Sequence, residues 1–79
     1  MTRAEILERM HPIFLEELDL EELDLSEETT ALDIDEWDSL SHIQLSVAIE
    51  KEFKIRFISS EMQSWKNVGE IIDCIVSKL

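Results

Sequence analysis

Turn-forming residues are scarce in this chain, and their scarcity limits the folds open to it. The 79 residues include one glycine and one proline, and tight turns between strands depend on these residue types. A multi-stranded sheet needs many such turns, whereas a helical bundle needs few. We therefore predict an all-α fold, formed as a single domain over residues 1–79.

The first predicted helix covers residues 2–18, where apolar side chains recur every three or four positions. Thr2 and Glu5 stand at the spacing of a capping box, in which each side chain satisfies a backbone N–H at the helix start. Pro12 removes one helical hydrogen bond and clashes with the preceding turn. We expect one helix with a kink or a break near Met10–His11.

Three more helical segments complete a small four-helix bundle with three main helices. The second helix is predicted over residues 39–53, and a single short turn from Ser59 or Ser60 to Gln63 forms the third. Asn67 is the expected N-cap of the last helix. That helix carries a regular apolar pattern at Val68, Ile71, Ile72, Ile75, Val76 and Leu79.

Residues 19–38 form a long connection between the first two helices. Loops of this length are uncommon in compact domains and tend to be functional. We expect a short helical turn around Ser26–Thr29 and carboxylates that face water. Apolar residues should hold the connection against the helices: Leu20, Leu23, Leu25, Leu32, Ile34 and Trp37.

The net charge of −12 narrows the classes of partner. The phosphates of nucleic acid and anionic membrane surfaces would repel the chain, so neither is an expected partner, and a basic protein surface is the natural complement. Between Arg9 and Lys51 there are thirteen carboxylates and no Lys or Arg, a run that also fits a plain solvated face. High charge and small size predict a monomer.

Cysteine content and hydropathy indicate the compartment. Cys74 is the one cysteine, so it forms no internal disulfide and fits a reducing compartment. It lies within an apolar helical pattern, where we expect a buried structural thiol. No apolar run is long enough to span a bilayer, and residues 1–10 lack the apolar core of a signal peptide. We expect a cytoplasmic protein.

Three kinds of catalytic or metal site fail on the residues present. A calcium loop that starts at Asp33 would need glycine where Asp38 stands and glutamate where Gln44 stands. Asp38, Ser39 and His42 lie too close in sequence to build a hydrolase triad with an oxyanion hole. One cysteine and two distant histidines cannot close a zinc site. We predict no catalytic residue and no metal ligand, and we expect His42 at the surface or its boundary.

Ser39 lies at the start of the second predicted helix, within DIDEWDSLSHIQL. Either Asp38 or Ser39 fits the N-cap, which is an ordinary structural role. A helix start also offers free N–H groups and the positive end of a dipole, which stabilise a phosphate. Because Asp35, Glu36 and Asp38 would repel a free anion, a phosphate here is best held covalently, on a hydroxyl that another enzyme can reach.

The segments EWDSLSHIQLSVAIEKEFKIRF and NVGEIIDCIVSKL, with the first helix and the acidic connection before them, resemble the acyl carrier protein family over essentially the whole chain. The resemblance implies that Ser39 is esterified to 4′-phosphopantetheine, donated by coenzyme A and transferred by a separate phosphopantetheinyl transferase. Acyl groups would be carried as thioesters on this arm, so the chain would serve other enzymes as a substrate and catalyse nothing itself.

The resemblance also implies a docking surface. It assigns partner contacts to exposed residues on and before the second helix, which would face basic patches of acyl-loading, acyl-transferring or condensing enzymes. The residues at these positions are Asp38, Leu40, Val47 and Glu50.

Two departures from the family pattern concern the choice of partner. Trp37 precedes the Asp-Ser-Leu motif where many fatty-acid carriers have glycine, and the second helix is less acidic than theirs. This WDSL variant looks more like free-standing carriers of specialised biosynthetic pathways. Two alternatives stay open: an aminoacyl or peptidyl carrier that uses the same serine, and an unmodified acidic helical adaptor.

Overall fold

The computed structural model describes residues 1–79 and contains four α-helices. Helix α1 spans Arg3–Glu17, α2 spans Ser39–Phe53, α3 spans Ser59–Ser64 and α4 spans Val68–Lys78, with one 3-10 turn at Ala31–Asp33. The predicted all-α four-helix bundle, with its short third helix and long first connection, is confirmed. Helix α1 packs against both α2 and α4. None of the helices combines the length and the apolar character needed to cross a membrane.

Helix α1 begins with the predicted capping box. The Thr2 hydroxyl accepts from the Glu5 N–H at 3.1 Å, and the Glu5 carboxylate accepts from the Thr2 N–H at 2.8 Å. The break expected near Met10–His11 is wrong, because α1 runs through Pro12 as one helix. Pro12 and Glu8 are both exposed, so water can satisfy the Glu8 carbonyl that loses its helical donor.

Fourteen buried apolar side chains form one core, to which α1, α2, α4 and the loops contribute. Helix α3 contributes no fully buried residue, but its Met62 packs against the core, and Glu61 adds polar contacts. The Glu61 carboxylate accepts from the Ile58 N–H at 2.9 Å and pairs with Lys78 at 3.0 Å. In α4, Val76 and Leu79 continue the apolar pattern of the sequence but are exposed, because the core ends before the last turn.

The long connection is held against the helices by five of its six apolar residues, of which Leu20, Leu23 and Leu25 are partly buried against the core. Ile34 and Trp37 are buried as expected, and a turn closes at Ser26–Thr29. Leu32 is 95% exposed, so the expectation that it helps to hold the connection is wrong. Leu32 lies in the middle of the 3-10 turn, whose outer side faces solvent.

Backbone hydrogen bonds attach the connection to α4. The Val68 N–H donates to the Thr29 carbonyl at 2.9 Å, and the Gly69 N–H donates to the Glu27 carbonyl at 2.8 Å. These N–H groups belong to the first turn of α4, where no carbonyl of the helix itself is available. A Cβ at Gly69 would lie 3.2 Å from the Glu27 carbonyl oxygen, so the missing side chain permits this close approach.

Cys74 is half-buried, whereas the sequence predicted a fully buried thiol. Its sulfur lies 3.5 Å from the Glu61 carboxylate. Burial raises the pKa of the Cys74 thiol, and the negative charge of Glu61 raises it further. The thiolate, which is the reactive form, is therefore disfavoured at this position.

Candidate functional site

The start of α2 is capped by Asp38, and Ser39 is the first helical residue. The Asp38 carboxylate accepts from the Ser41 N–H at 2.9 Å, and the Ser41 hydroxyl accepts from the Asp38 N–H at 2.8 Å. The hydrogen bonds from the Ser41 backbone and side chain hold the pKa of Asp38 below its ordinary value. The sequence allowed either Asp38 or Ser39 as the N-cap of α2. The structure shows that Asp38 is the N-cap and that the exposed Ser39 hydroxyl takes no part in it.

The surroundings of the Ser39 hydroxyl fit a covalently attached phosphate. The hydroxyl is exposed and makes no side-chain hydrogen bond within the chain. The N–H groups of Ser39 and Leu40 lie in the first turn, where the helix provides no carbonyl partner, and the helix dipole favours negative charge there. The ionised Asp38 next to Ser39 opposes capture of a free anion but does not release a phosphate held by an ester bond.

Contacts of Trp37 and His42 fix the segment around Ser39. Trp37 packs edge-on against Phe14, with ring centroids 5.2 Å apart. The Trp37 Nε1–H donates to His42 Nδ1 at 3.0 Å, and the His42 Nε2–H donates to the Met62 carbonyl at 2.8 Å. These contacts join the start of α2 to α1 on one side and to α3 on the other.

The same contacts exclude the serine hydrolase arrangement. Both nitrogens of His42 are engaged, one with Trp37 and one with Met62, so the ring offers no lone pair to the Ser39 hydroxyl. The Asp38 carboxylate faces the Ser41 N–H and does not orient a histidine. His42 lies at the boundary of the core, as predicted, and its role is structural.

An exposed apolar stripe runs along α2 from the Ser39 end. Leu40, Ile43 and Val47 are 67%, 56% and 42% exposed, and their spacing of three and four residues puts them on one face. The predicted exposure of Leu40 and Val47 is confirmed. Ile43 was missing from the predicted docking residues, although the same spacing already placed it between them.

Glu50 is less exposed than predicted. It is half-buried, and its carboxylate accepts from the Phe57 N–H at 2.7 Å. This bond holds the segment that follows α2, so the carboxylate is less available to a partner than the resemblance implied. Of the four predicted docking residues, Asp38, Leu40 and Val47 are exposed, and Glu50 has a structural role.

Comparison with known proteins identifies the family. Residues 8–75 match a family model described as the phosphopantetheine attachment site. An acyl carrier protein of Caulobacter vibrioides is 31% identical over 75 residues, which cover 95% of this chain and 96% of that protein. One from Thermotoga maritima is 30% identical over 78 residues, with 99% and 96% covered.

A solved structure agrees with this result. The solution NMR structure of the holo acyl carrier protein from Geobacter metallireducens matches with a TM-score of 0.84 at 44% identity, covering 92% of this chain and 84% of that one. The chain therefore belongs to the acyl carrier protein family, to which a covalently attached 4′-phosphopantetheine is integral.

Proposed function

We propose that Ser39 bears the 4′-phosphopantetheine and that the chain presents acyl groups, held as thioesters on that arm, to partner enzymes. The observation that carries this assignment is the free, exposed Ser39 hydroxyl at the start of α2, beside a cap that Asp38 completes without it. The family match supports 4′-phosphopantetheine as the attached group, and the local geometry supports Ser39 as the residue that bears it. The name of the Geobacter relative, a holo acyl carrier protein, agrees with this proposal.

The chain positions the prosthetic arm and offers a surface to partner enzymes, while the prosthetic thiol supplies the thioester chemistry. Asp38 and Ser41 fix the first turn of α2, and the Trp37–His42 hydrogen bond holds the segment before it. The raised pKa of the Cys74 thiol disfavours its thiolate, the form that would accept an acyl group. Like its acyl carrier relatives, the chain is a carrier and not an enzyme.

The proposed partners are a phosphopantetheinyl transferase and acyl-loading, acyl-transferring or condensing enzymes. Leu40, Ile43 and Val47 form the apolar part of the surface offered to them. Exposed carboxylates before α2 form the charged part, which we name the acidic end: Asp33, Asp35, Glu36 and Asp38. An apolar patch with charge at its rim is typical of transient protein interfaces, and the charge favours fast association with basic surfaces.

The proposed function predicts modification by a purified transferase. The chain is incubated with coenzyme A, Mg²⁺ and a broad-specificity phosphopantetheinyl transferase, and its intact mass is measured. We expect the gain of one phosphopantetheine. When an acyl-coenzyme A replaces coenzyme A as the donor, we expect the gain of acyl-phosphopantetheine, from which hydroxylamine releases the acyl group, as it does from a thioester. A folded chain that gains nothing with several transferases would instead be an acidic adaptor.

We further propose a specialised biosynthetic pathway over housekeeping fatty-acid synthesis. The support is the placement of charge, because carboxylates gather before Ser39 while α2 exposes Lys51 near its end. We expect an acyl-loading enzyme of fatty-acid synthesis to acylate the modified chain at least about tenfold more slowly, in kcat/KM, than its own carrier. Equal rates would contradict this proposal, and loading by an amino-acid-activating enzyme would indicate an aminoacyl carrier.

A further inference from the structure

We propose that a partner enzyme docks along α2 with two oppositely charged contacts, and that its second contact is an acidic segment seated on cations at the C-terminal end of α2. These cations, Lys51, Lys54 and Arg56, are named the basic end. The inference rests on the proposed function, since the first contact is the one at the acidic end beside Ser39. The new element is the negative charge of the partner where it contacts the C-terminal end of α2.

The basic end is positive charge without a partner in a chain of net charge −12. Its three cations are exposed, and none takes part in an ion pair. Three of the other four basic residues are paired with carboxylates: Arg3, Arg9 and Lys78. The pairing of most cations elsewhere makes an unpaired group of three unusual for this surface.

The two carboxylates of the last turns of α2 have partners other than the basic end. Glu50 accepts from the Phe57 N–H at 2.7 Å, and Glu52 pairs with Arg9 at 2.6 Å. Neither carboxylate forms an ion pair with Lys51 or Lys54. A partner carboxylate would be the charge that complements this surface.

The basic end borders a shallow cleft that continues the apolar stripe of α2. The cleft has a volume of about 470 Å³, and its apolar lining residues are Val47 and Ile55. Val47 also belongs to the stripe, so one bound surface can cover both. The remaining lining residues are Glu50 and the three cations of the basic end. This arrangement suits a segment that carries carboxylates beside an apolar side chain.

Helix termination alone does not account for the cluster. Lys51 lies in the last turn of α2, where a cation stabilises the helix dipole. Lys54 has a φ of 58°, in the left-handed region, where helix ends favour glycine or asparagine. Arg56 lies beyond the helix. Ending the helix does not require a cation at either of these two positions.

The length of α2 sets the spacing of the two contacts. Ser39 and Lys51 are twelve residues apart, which corresponds to about 18 Å along a helix axis. A matching enzyme would present basic groups at the entrance to its active site and carboxylates about 18 Å away. A second copy of this chain offers carboxylates too, but the repulsion between two chains of net charge −12 opposes that pairing.

The test maps where small charged probes bind to the ¹⁵N-labelled full chain, in both unmodified and phosphopantetheinylated form. The ionic strength is about 0.1 M, where a Debye length of about 10 Å screens the net negative charge of the chain beyond the local contact. The acidic probe is a peptide of Glu-Glu-Leu repeats, and the basic probe is the matching peptide of Lys-Lys-Leu repeats. We expect the acidic peptide to shift the amide signals of residues 47–56 and not those of residues 33–38. The Lys51→Glu variant should weaken its binding about fivefold, whereas Lys66→Glu, an equal change of charge elsewhere, should leave it unchanged.

Three results would overturn the inference. The acidic peptide could shift no signal in residues 47–56, or Lys66→Glu could weaken its binding as much as Lys51→Glu does. Sedimentation could instead show a dimer that Lys51→Glu dissociates, which would make a second copy the occupant. Peptide binding does not depend on the prosthetic arm, so this test and the mass measurement fail independently of each other.

Discussion

The Ser39→Ala variant is expected to take up no phosphopantetheine under conditions that modify the unchanged chain completely. The substitution removes the oxygen that would form the ester bond, and the Ser41 hydroxyl is already engaged in the helix cap. Intact-mass spectrometry after incubation with coenzyme A, Mg²⁺ and the transferase gives the result directly. Since an acceptor atom is either present or absent, we expect complete loss and not a reduced rate.

Loss of modification must be separated from loss of folding. Because Asp38 and not Ser39 caps α2, Ser39→Ala should change the free energy of unfolding by less than about 0.5 kcal/mol. Ser59→Ala is the matched control, since Ser59 is also an exposed first residue of a helix. Modification of Ser39→Ala, or its loss in Ser59→Ala, would contradict the assignment of the attachment site.

The second large effect is expected from Val47→Glu. Val47 is 42% exposed at the C-terminal end of the stripe, near the middle of α2, so a carboxylate there keeps its hydration and the fold should survive. In a complex the same charge would be buried against a partner's apolar surface, which is costly without a compensating cation. We expect kcat/KM for modification by the transferase to fall at least about tenfold, equivalent to about 1.4 kcal/mol.

The chain offers a close control for this substitution. Val76 is 45% exposed, but it lies on α4, away from the stripe. Val76→Glu introduces the same charge at similar exposure and should leave kcat/KM unchanged. Thermal unfolding should be similar for both variants. A loss of rate shared by both, or a Val47→Glu chain that unfolds, would contradict the docking role of the stripe.

The sequence predicted those features that depend on neighbouring residues. Thr2 with Glu5, and Asn67 at the start of α4, act within one helical turn, and both caps occur as expected. The exposure of Leu40 and Val47 followed from helical spacing alone, because their face is distinct from the buried one. Periodicity and caps were thus sufficient for the helices and for the position of Ser39.

Features that depend on distant contacts could not be predicted. The effect of Pro12 depended on whether solvent reaches the carbonyl it leaves unpaired. Leu32 resembles its buried neighbours in sequence, yet the 3-10 turn exposes it. The partner of Glu50 lies seven residues away, and the second partner of His42 lies twenty residues away. Only the folded chain shows that one carboxylate is withdrawn from docking and that the histidine is structural.

Locating the modification within the chain tests the assignment of Ser39 as the attachment site. The modified and acylated chain is fragmented in the mass spectrometer, and the residue that carries the added mass is identified. We predict that phosphopantetheine and the acyl group are found together on Ser39. An acyl group on Cys74, or phosphopantetheine on any other serine, would contradict it.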